Sequence, residues 1–349
     1  MSVLVQETSP RHALVVHILY RGECFLETAE GLHDVLQRLG LASTISALAP
    51  GAEATPPWSE AFSNHLLLFI VLGGHLFEEL PTTGILVNYE QMSSPWMTET
   101  YCAALRSAAV VCDFSDRNLS TLVQSLQLRQ PCYTLPVYVP ADAFQILPGA
   151  GSSDNEGDDC VDVLFYGCAN ARRTEMLRRL SAAGLRAEFH FEYALFGPER
   201  ARAMARARVV LNLHYYEDAA LEVHRLAPLL AAGCCVVSEP SADQELDARF
   251  RSAVAFARYD DIPAVVSWLS RSDDSSGGGS RSGRSGADWP GGWGCSGGGG
   301  SSGSSARRTL QAAARKLAVA MQDDISPLSN AVAALAATAV ARATESQAL

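Results

Sequence analysis

The chain has 349 residues, a length that suits two domains of ordinary size, and 48 % of them are hydrophobic, enough to bury real cores and to exclude global disorder. The formal net charge is −11 and lysine is almost absent. This excludes general nucleic-acid binding, whose non-specific affinity comes from neutralising phosphates with Lys and Arg. Any bound anion falls to arginines, which suit bidentate phosphate contacts.

The nine cysteines are odd in number and form no CxxC pair. Cys112, Cys132, Cys168 and Cys234 sit inside apolar runs. This is the pattern of a reducing compartment, and neither a disulfide framework nor a zinc site is expected. The opening MSVLVQETSPRH lacks the basic and apolar regions of a signal peptide. The longest apolar run, 65–72, falls short of the ~20 residues that a bilayer span needs, and the C-terminal segment is alanine-rich but weakly hydrophobic. A soluble cytoplasmic protein without a membrane span is expected.

From the N-terminus, strands are predicted at 13–19, 43–48, 65–72, 84–90, 108–114 and 132–139, with helices at 25–39, 97–107 and 116–127. Such alternation implies a parallel, doubly wound sheet. His17 falls in mid-strand and reads as a core histidine. The polar, acidic, glycine-rich run 147–160 reads as a linker, making 1–146 a first domain.

The pattern restarts with a strand at 162–167, a helix at 171–183, a strand at 185–193 and an arginine-rich helix at 198–206. The unit 208–239 follows as strand, loop, helix, strand. In it Val209 to His214 is a short uncharged apolar run, Asp218 is placed to cap the helix, and Gly233 is placed to close it. A helix at 244–250, a strand at 253–258 and a helix at 261–270 complete a second domain, 161–271. From 272 to 305 the composition collapses to Gly and Ser, which predicts a disordered insert. Two C-terminal helices are expected within 306–349, at 306–322 and 329–343, separated by Pro327, the last of them able to cross back onto the first domain. The fold class is therefore α/β: two Rossmann-like doubly wound parallel-sheet domains facing a cleft, with C-terminal helices.

Ligands of open parallel sheets bind beyond the carboxyl ends of the strands and at helix N-termini. Asn212, His214, Glu222, Arg225, Ser238 and Glu239 would gather at that edge in the second domain. Gly167-Cys168-Ala169-Asn170 ends its first strand and leads into a helix bearing Arg172 and Arg173. A glycine turn there offers backbone N–H groups and a positive dipole end to a phosphate, and the arginines add charge. The motif is neither a dinucleotide glycine fingerprint nor a P-loop, which argues against a nicotinamide dehydrogenase. Asp260 and Asp261 lack the spacing and partners of a hard-cation site, so no metal is predicted.

Twin Rossmann domains with a late crossing helix resemble the GT-B class of nucleotide-sugar glycosyltransferases. The run Val209–Glu239, preceded by YGCANARRTEMLRRL and followed by FARYDD, resembles the donor domain of bacterial and viral group-1-type enzymes, the spore-maturation type in particular. In that group a strand ending in Asn-x-His leads to a helix of the form R-x-x-E-A-x-A-x-G. Asn212, His214, Arg225 and Gly233 match, whereas the glutamate that grips the donor ribose falls at Pro228, which leaves Glu222 as a possible substitute. VNYEQM followed by YCAALRSAAVVCDFSDRN resembles the same group, where Glu-Gln at a strand end precedes a Tyr-containing helix and a strand ending in Asp-x-Ser.

The resemblance implies sugar transfer from a nucleotide-diphosphate sugar to a hydroxyl acceptor, with the sugar nucleotide as donor substrate and no cofactor. Donor contacts would come from Gly167, Asn170, Arg172, Arg173, Asn212, His214, Glu222, Arg225, Ser238 and Glu239. An inverting transfer also needs a base for the acceptor hydroxyl. His75, just past an apolar strand, is the best placed, Glu90 is its rival, and Asp113 and Asp116 come third; a retaining enzyme needs none. The loss of the ribose glutamate at Pro228 motivates an alternative on the same fold, a non-catalytic nucleotide-sugar-binding or scaffold protein; a sugar-nucleotide epimerase of the same twin-Rossmann build is a third reading.

Overall fold

The computed structural model describes residues 13–48, 65–77, 84–145, 160–191, 195–271 and 303–347. The chain divides into two compact units, one made of Met1–Ala141 with Ala320–Leu349 and the other of Asp142–Val319.

In the first unit, β1 (Ala13–Tyr20), α1 (Leu26–Arg38), β2 (Ala42–Ala47), β3 (His65–Leu72), β4 (Gly84–Asn88), α2 (Glu99–Ser107), β5 (Val110–Asp113), α3 (Asp116–Leu126) and β6 (Cys132–Thr134) follow in order. The strands form one six-stranded sheet in the order β2-β1-β3-β4-β5-β6, every pair parallel. All of β4 and β5 is buried, as strands covered on both faces must be, and their sequences are correspondingly apolar runs without alternation. On one face Val16, Ile18, Leu68, Ile70 and Ile85 pack with Leu32, Val35 and Leu36 of α1. On the other, Leu19, Val71, Leu86 and Val111 meet Tyr101 and Leu105 of α2 and Leu119, Leu122 and Leu126 of α3. Thr98 and Ser115 cap α2 and α3 by accepting from the N–H groups of Tyr101 and Asn118.

The second unit contains β7 (Val161–Tyr166), α4 (Ala171–Ala182), β8 (Ala187–His190), α5 (Gly197–Arg206), β9 (Ala207–Asn212), α6 (Val223–Ala232), β10 (Val236–Ser238), α7 (Gln244–Phe250), β11 (Val254–Phe256) and α8 (Ile262–Ser270). Its five strands are again all parallel, in the order β11-β10-β9-β7-β8. Val163, Phe165, Val209, Leu211 and Val237 pack with Met176 and Leu180 of α4 and with Val265, Val266 and Leu269 of α8, while α5 and α6 lie against β7, β9 and β10.

Two long helices end the chain, α9 (Gly303–Asp323) and α10 (Ser326–Gln347). Leu310 of α9 joins the core of the second unit. Leu328, Ala331, Val332 and Leu335 of α10 join the core of the first, under β4, β5 and β6. The stretch Gly303–Ala341 has the length and composition of a membrane span, with a mean hydropathy of 1.2 and 22 % of its most apolar window buried. Length and composition alone pass core helices by the same test, and the buried residues just named serve the two cores.

The double-wound α/β class stands, and several boundaries move. The 208–239 helix begins at Val223 rather than after Asp218, with Glu222 at its N-cap. Pro327 does not separate the last helices: it lies in the first turn of α10, where a missing N–H costs nothing. The break falls at Asp324 and Ile325. Residues 303–305 of the expected disordered insert are helical; the remainder of that insert and nearly all of the expected linker lie outside the described residues. Among the described residues the cysteines are free thiols.

Candidate functional site

In the second unit the strand order reverses between β7 and β9, so the ends of these two strands define its switch point. Gly167 follows β7 with φ +144, a backbone region that side chains rarely adopt. A Cβ there would stand 2.8 Å from Arg225 Nη2. Glycine thus lets the guanidinium of Arg225, from the first turn of α6, lie directly on the turn after β7. Asn170 then caps α4, its side chain accepting from the N–H of Arg173 at 2.8 Å and donating to the carbonyl of Tyr215 at 2.8 Å.

The three arginines meet two carboxylates. Glu222 accepts from Arg173 Nη2 at 3.1 Å and from Arg225 Nη2 at 2.7 Å. Burial alone would raise the Glu222 carboxyl, but Arg225 and Arg173 overcome it and hold the group below its usual range. Glu239 receives both ends of the Arg172 fork, an ion pair that pushes the Arg172 pKa up. Three guanidiniums thus face two carboxylates within one cluster.

The arginines differ in what they have left to offer. Arg173 is 2 % exposed and fully engaged: its fork donates to the carbonyls of Leu213 and Cys168 as well as to Glu222. Burial lowers its pKa. Together with Arg172, whose Nη1 reaches the carbonyl of His214 at 3.4 Å, it pins the loop after β9. Arg225, by contrast, keeps Nη1 shielded from solvent without a hydrogen-bond partner. Its guanidinium lies over the rings of Phe165 and Tyr166, and the Tyr166 hydroxyl is likewise buried and unpartnered.

Asn212 and His214 complete this rim. Asn212 donates to Ser238 Oγ at 3.0 Å, and Ser238 in turn donates to the carbonyl of Glu239 at 2.9 Å. The Asn212 Oδ1 has no partner. His214 is 1 % exposed, its N–H is held by Glu239 at 3.0 Å, and neither ring nitrogen is bonded. Burial lowers its pKa despite the nearby Glu222 and Glu239, which keeps the imidazole neutral. The predicted donor residues thus come together at one sheet edge, and three of them, Asn212, His214 and Arg225, together with their neighbour Tyr166, carry buried polar atoms without a hydrogen-bond partner.

In the first unit the carboxyl rim carries the proposed base. His75 follows the Gly73-Gly74 turn after β3, and its Nε2 stands 3.6 Å from Glu90 Oε1. Its ring is bracketed by Phe25, Tyr101 and Trp96 at centroid distances of 6.2, 5.8 and 5.5 Å. Burial lowers its pKa to about 4, so it is a neutral imidazole at physiological pH, able to accept a proton but a weaker base than an ordinary histidine.

Asp113 is not exposed at all. It accepts from Asn88 at 2.7 Å, from Asn118 at 2.8 Å and from the Ser115 N–H at 2.9 Å. Both asparagines also donate to the carbonyl of Glu90, at 2.6 and 3.0 Å, and Tyr101 OH donates to Asn88 Oδ1 at 3.0 Å. Asp113, named as a third candidate base, instead sits behind the loop that presents Glu90. Asp116 lies at the exposed start of α3, where it accepts from Thr134. Among the described residues no group of three His, Cys, Asp or Glu side chains is arranged to hold a metal ion.

Sequence reasoning missed Tyr166, Asn88, Asn118, Trp96 and Tyr259. The last stacks under Arg172 at 4.1 Å and donates to the Arg172 carbonyl at 2.6 Å.

Comparison with known proteins now bears on the fold. No family model and no curated protein matches this chain. Among solved structures, it is similar to AviGT4, a glycosyltransferase involved in avilamycin A biosynthesis, at 12 % identity and a TM-score of 0.50, covering 94 % of this chain and 98 % of that one. It is similar to the sucrose-phosphate synthase of Thermosynechococcus elongatus at 11 % identity and a TM-score of 0.51, covering 96 % and 100 %. It is also similar to WaaG, a glycosyltransferase involved in lipopolysaccharide biosynthesis, at 11 % and 0.51, covering 92 % and 98 %. The fold is therefore of the GT-B type, with two parallel-sheet α/β domains and C-terminal helices. These likenesses speak to the fold and not to the spore-maturation branch.

Proposed function

We propose that the chain is a glycosyltransferase that moves a sugar from a nucleotide-diphosphate sugar to a hydroxyl acceptor without a metal. The single observation that carries this reading is the Nη1 of Arg225, a charged donor without a partner, placed beside Gly167 at the switch point of a GT-B-type fold. A diphosphate oxygen satisfies that donor. The dipole of α4 and the guanidinium of Arg225 then oppose the charge that develops on the leaving diphosphate. Arg172 and Arg173 shape the site by fixing the loop after β9, and Asn212, His214 and Ser238 line it. Glu222 and Glu239 hold the arginines in place. In the first unit His75, neutral and paired with Glu90, takes the acceptor proton.

Saturation-transfer NMR with UDP-, GDP- and ADP-sugars tests the donor half: at least one should bind, and binding should vanish in Arg225→Ala. A folded protein that binds none of them ends this reading.

The occupation of Glu222 by two arginines favours a second reading, since it is not free to grip a ribose. The chain would then bind nucleotide sugars without turning them over, and neither transfer nor hydrolysis would be seen with any acceptor. Product analysis without an acceptor separates a third possibility, an epimerase.

A further inference from the structure

We propose that the loop after β4 is a subsite for a pyranose ring, which makes the acceptor of the first unit a carbohydrate. Trp96 is half exposed, at 50 %, although it is among the largest apolar side chains in the molecule. It is not a loose residue on a mobile loop. Ser94 N–H donates to the carbonyl of Gln91 at 2.8 Å, Met97 N–H to the carbonyl of Ser94 at 3.0 Å, and Trp96 N–H to Ser94 Oγ at 3.3 Å. Ser94 Oγ itself donates to Glu90 Oε2 at 2.6 Å, and Pro95 removes a further rotation. Thr98 then caps α2. The indole is thus held open by the same short segment that carries Glu90, with its centroid 5.5 Å from that of His75.

The chemistry of these neighbours selects one ligand class. An aromatic face carries negative charge density and attracts the polarised C–H bonds on the flat side of a pyranose. A carboxylate and an imidazole at its edge suit the hydroxyls around that ring. A purely apolar acceptor would gain nothing from the carboxylate and the imidazole beside the indole, and a charged peptide would gain little from the indole. The inference rests on the function proposed above only in naming the bound sugar an acceptor; the subsite itself lies wholly within the first unit.

Saturation-transfer NMR on the full chain, with methyl glucoside, methyl galactoside and methyl mannoside as probes and with 4-methylphenol and sorbitol alongside, tests it. At least one pyranoside should bind through the C–H protons of one ring face and shift the Trp96 indole N–H resonance, assigned by its loss in Trp96→Phe. Trp96→Ala should weaken that binding by about tenfold or more, Trp96→Phe by less, and both should keep the wild-type melting temperature and nucleotide-sugar binding. Failure of every pyranoside to shift Trp96 overturns the proposal. So does stronger binding of the phenol or the open-chain polyol at Trp96, or undiminished pyranoside binding in Trp96→Ala. Pyranoside binding at Trp96 without any nucleotide-sugar binding would leave this subsite standing and remove the donor reading, and the reverse result would do the opposite.

Discussion

Arg173 and Arg225 share the carboxylate of Glu222 and yet should respond differently to loss. Arg173 donates to two backbone carbonyls and is buried, so Arg173→Ala strands Leu213 and Cys168 carbonyls and should cost about 3–5 kcal/mol in urea unfolding. Arg225 leaves Glu222 with its other partner, so Arg225→Ala should cost roughly 1.5–3 kcal/mol while abolishing donor binding. His75 gives a pH test. Its pKa is lowered to about 4, so a rate that needs the unprotonated ring should stay flat on acidification through the ordinary histidine value near ~6.5 and fall only toward pH 4. His75→Asn should lower turnover by about 10²–10⁴-fold without changing nucleotide-sugar binding. Residues that end strands or open helices, such as Gly167, Asn212 and Arg225, were legible because their place in the pattern fixes where they stand. Tyr166, Tyr259 and Asn118 were not, because what matters about them is a contact across elements far apart in the chain.

At the scale of elements, the loop between β4 and α2 depends on a carboxylate buried behind it. Asp113 is pushed up to about 7, chiefly by burial, against the pull of its hydrogen bonds from Asn88, Ser115 and Asn118. Its folded pKa thus lies above its unfolded value of ~3.9. The native state binds more protons than the unfolded chain between these two values, so this group's contribution is full below pH ~4 and is lost as pH rises toward 7. Asp113→Asn should be less stable overall, since its amide meets the Ser115 N–H, but should show a flatter stability profile over that window in urea titrations. Packing of α1 offers a second test. A Cβ at Gly31 would collide with the backbone of Tyr138 and Val139, so Gly31→Ala should cost roughly 1–3 kcal/mol or separate α1 from the sheet, visible as a lower urea midpoint. The strands were legible as apolar runs, and β3 was placed to the residue. The start of α6 was misjudged because Asp218 looks like a cap, whereas the residue at the N-cap, Glu222, spends its carboxylate on arginines and makes no cap bond.

For the molecule as a whole, the twin alternation of strand and helix announced two parallel-sheet units, since each restart needs its own sheet. What the sequence could not specify is which residues of the last helix are buried, because α10 is alanine-rich with no pronounced apolar stripe. Leu328, Ala331, Val332 and Leu335 are among the residues that matter, and they close the core of the first unit. A chain ending after Asp323 should therefore lose the first unit's thermal transition and its pyranoside binding while keeping nucleotide-sugar binding and the second unit's transition, as followed by calorimetry. The same connectivity sets an order of events during synthesis. The second unit is one contiguous segment, Asp142–Val319, whereas the first is completed only by Ala320–Leu349. On the ribosome, the unit begun first must wait for residues 320–349 to emerge, so Asp142–Val319 can fold before the segment that precedes it is complete.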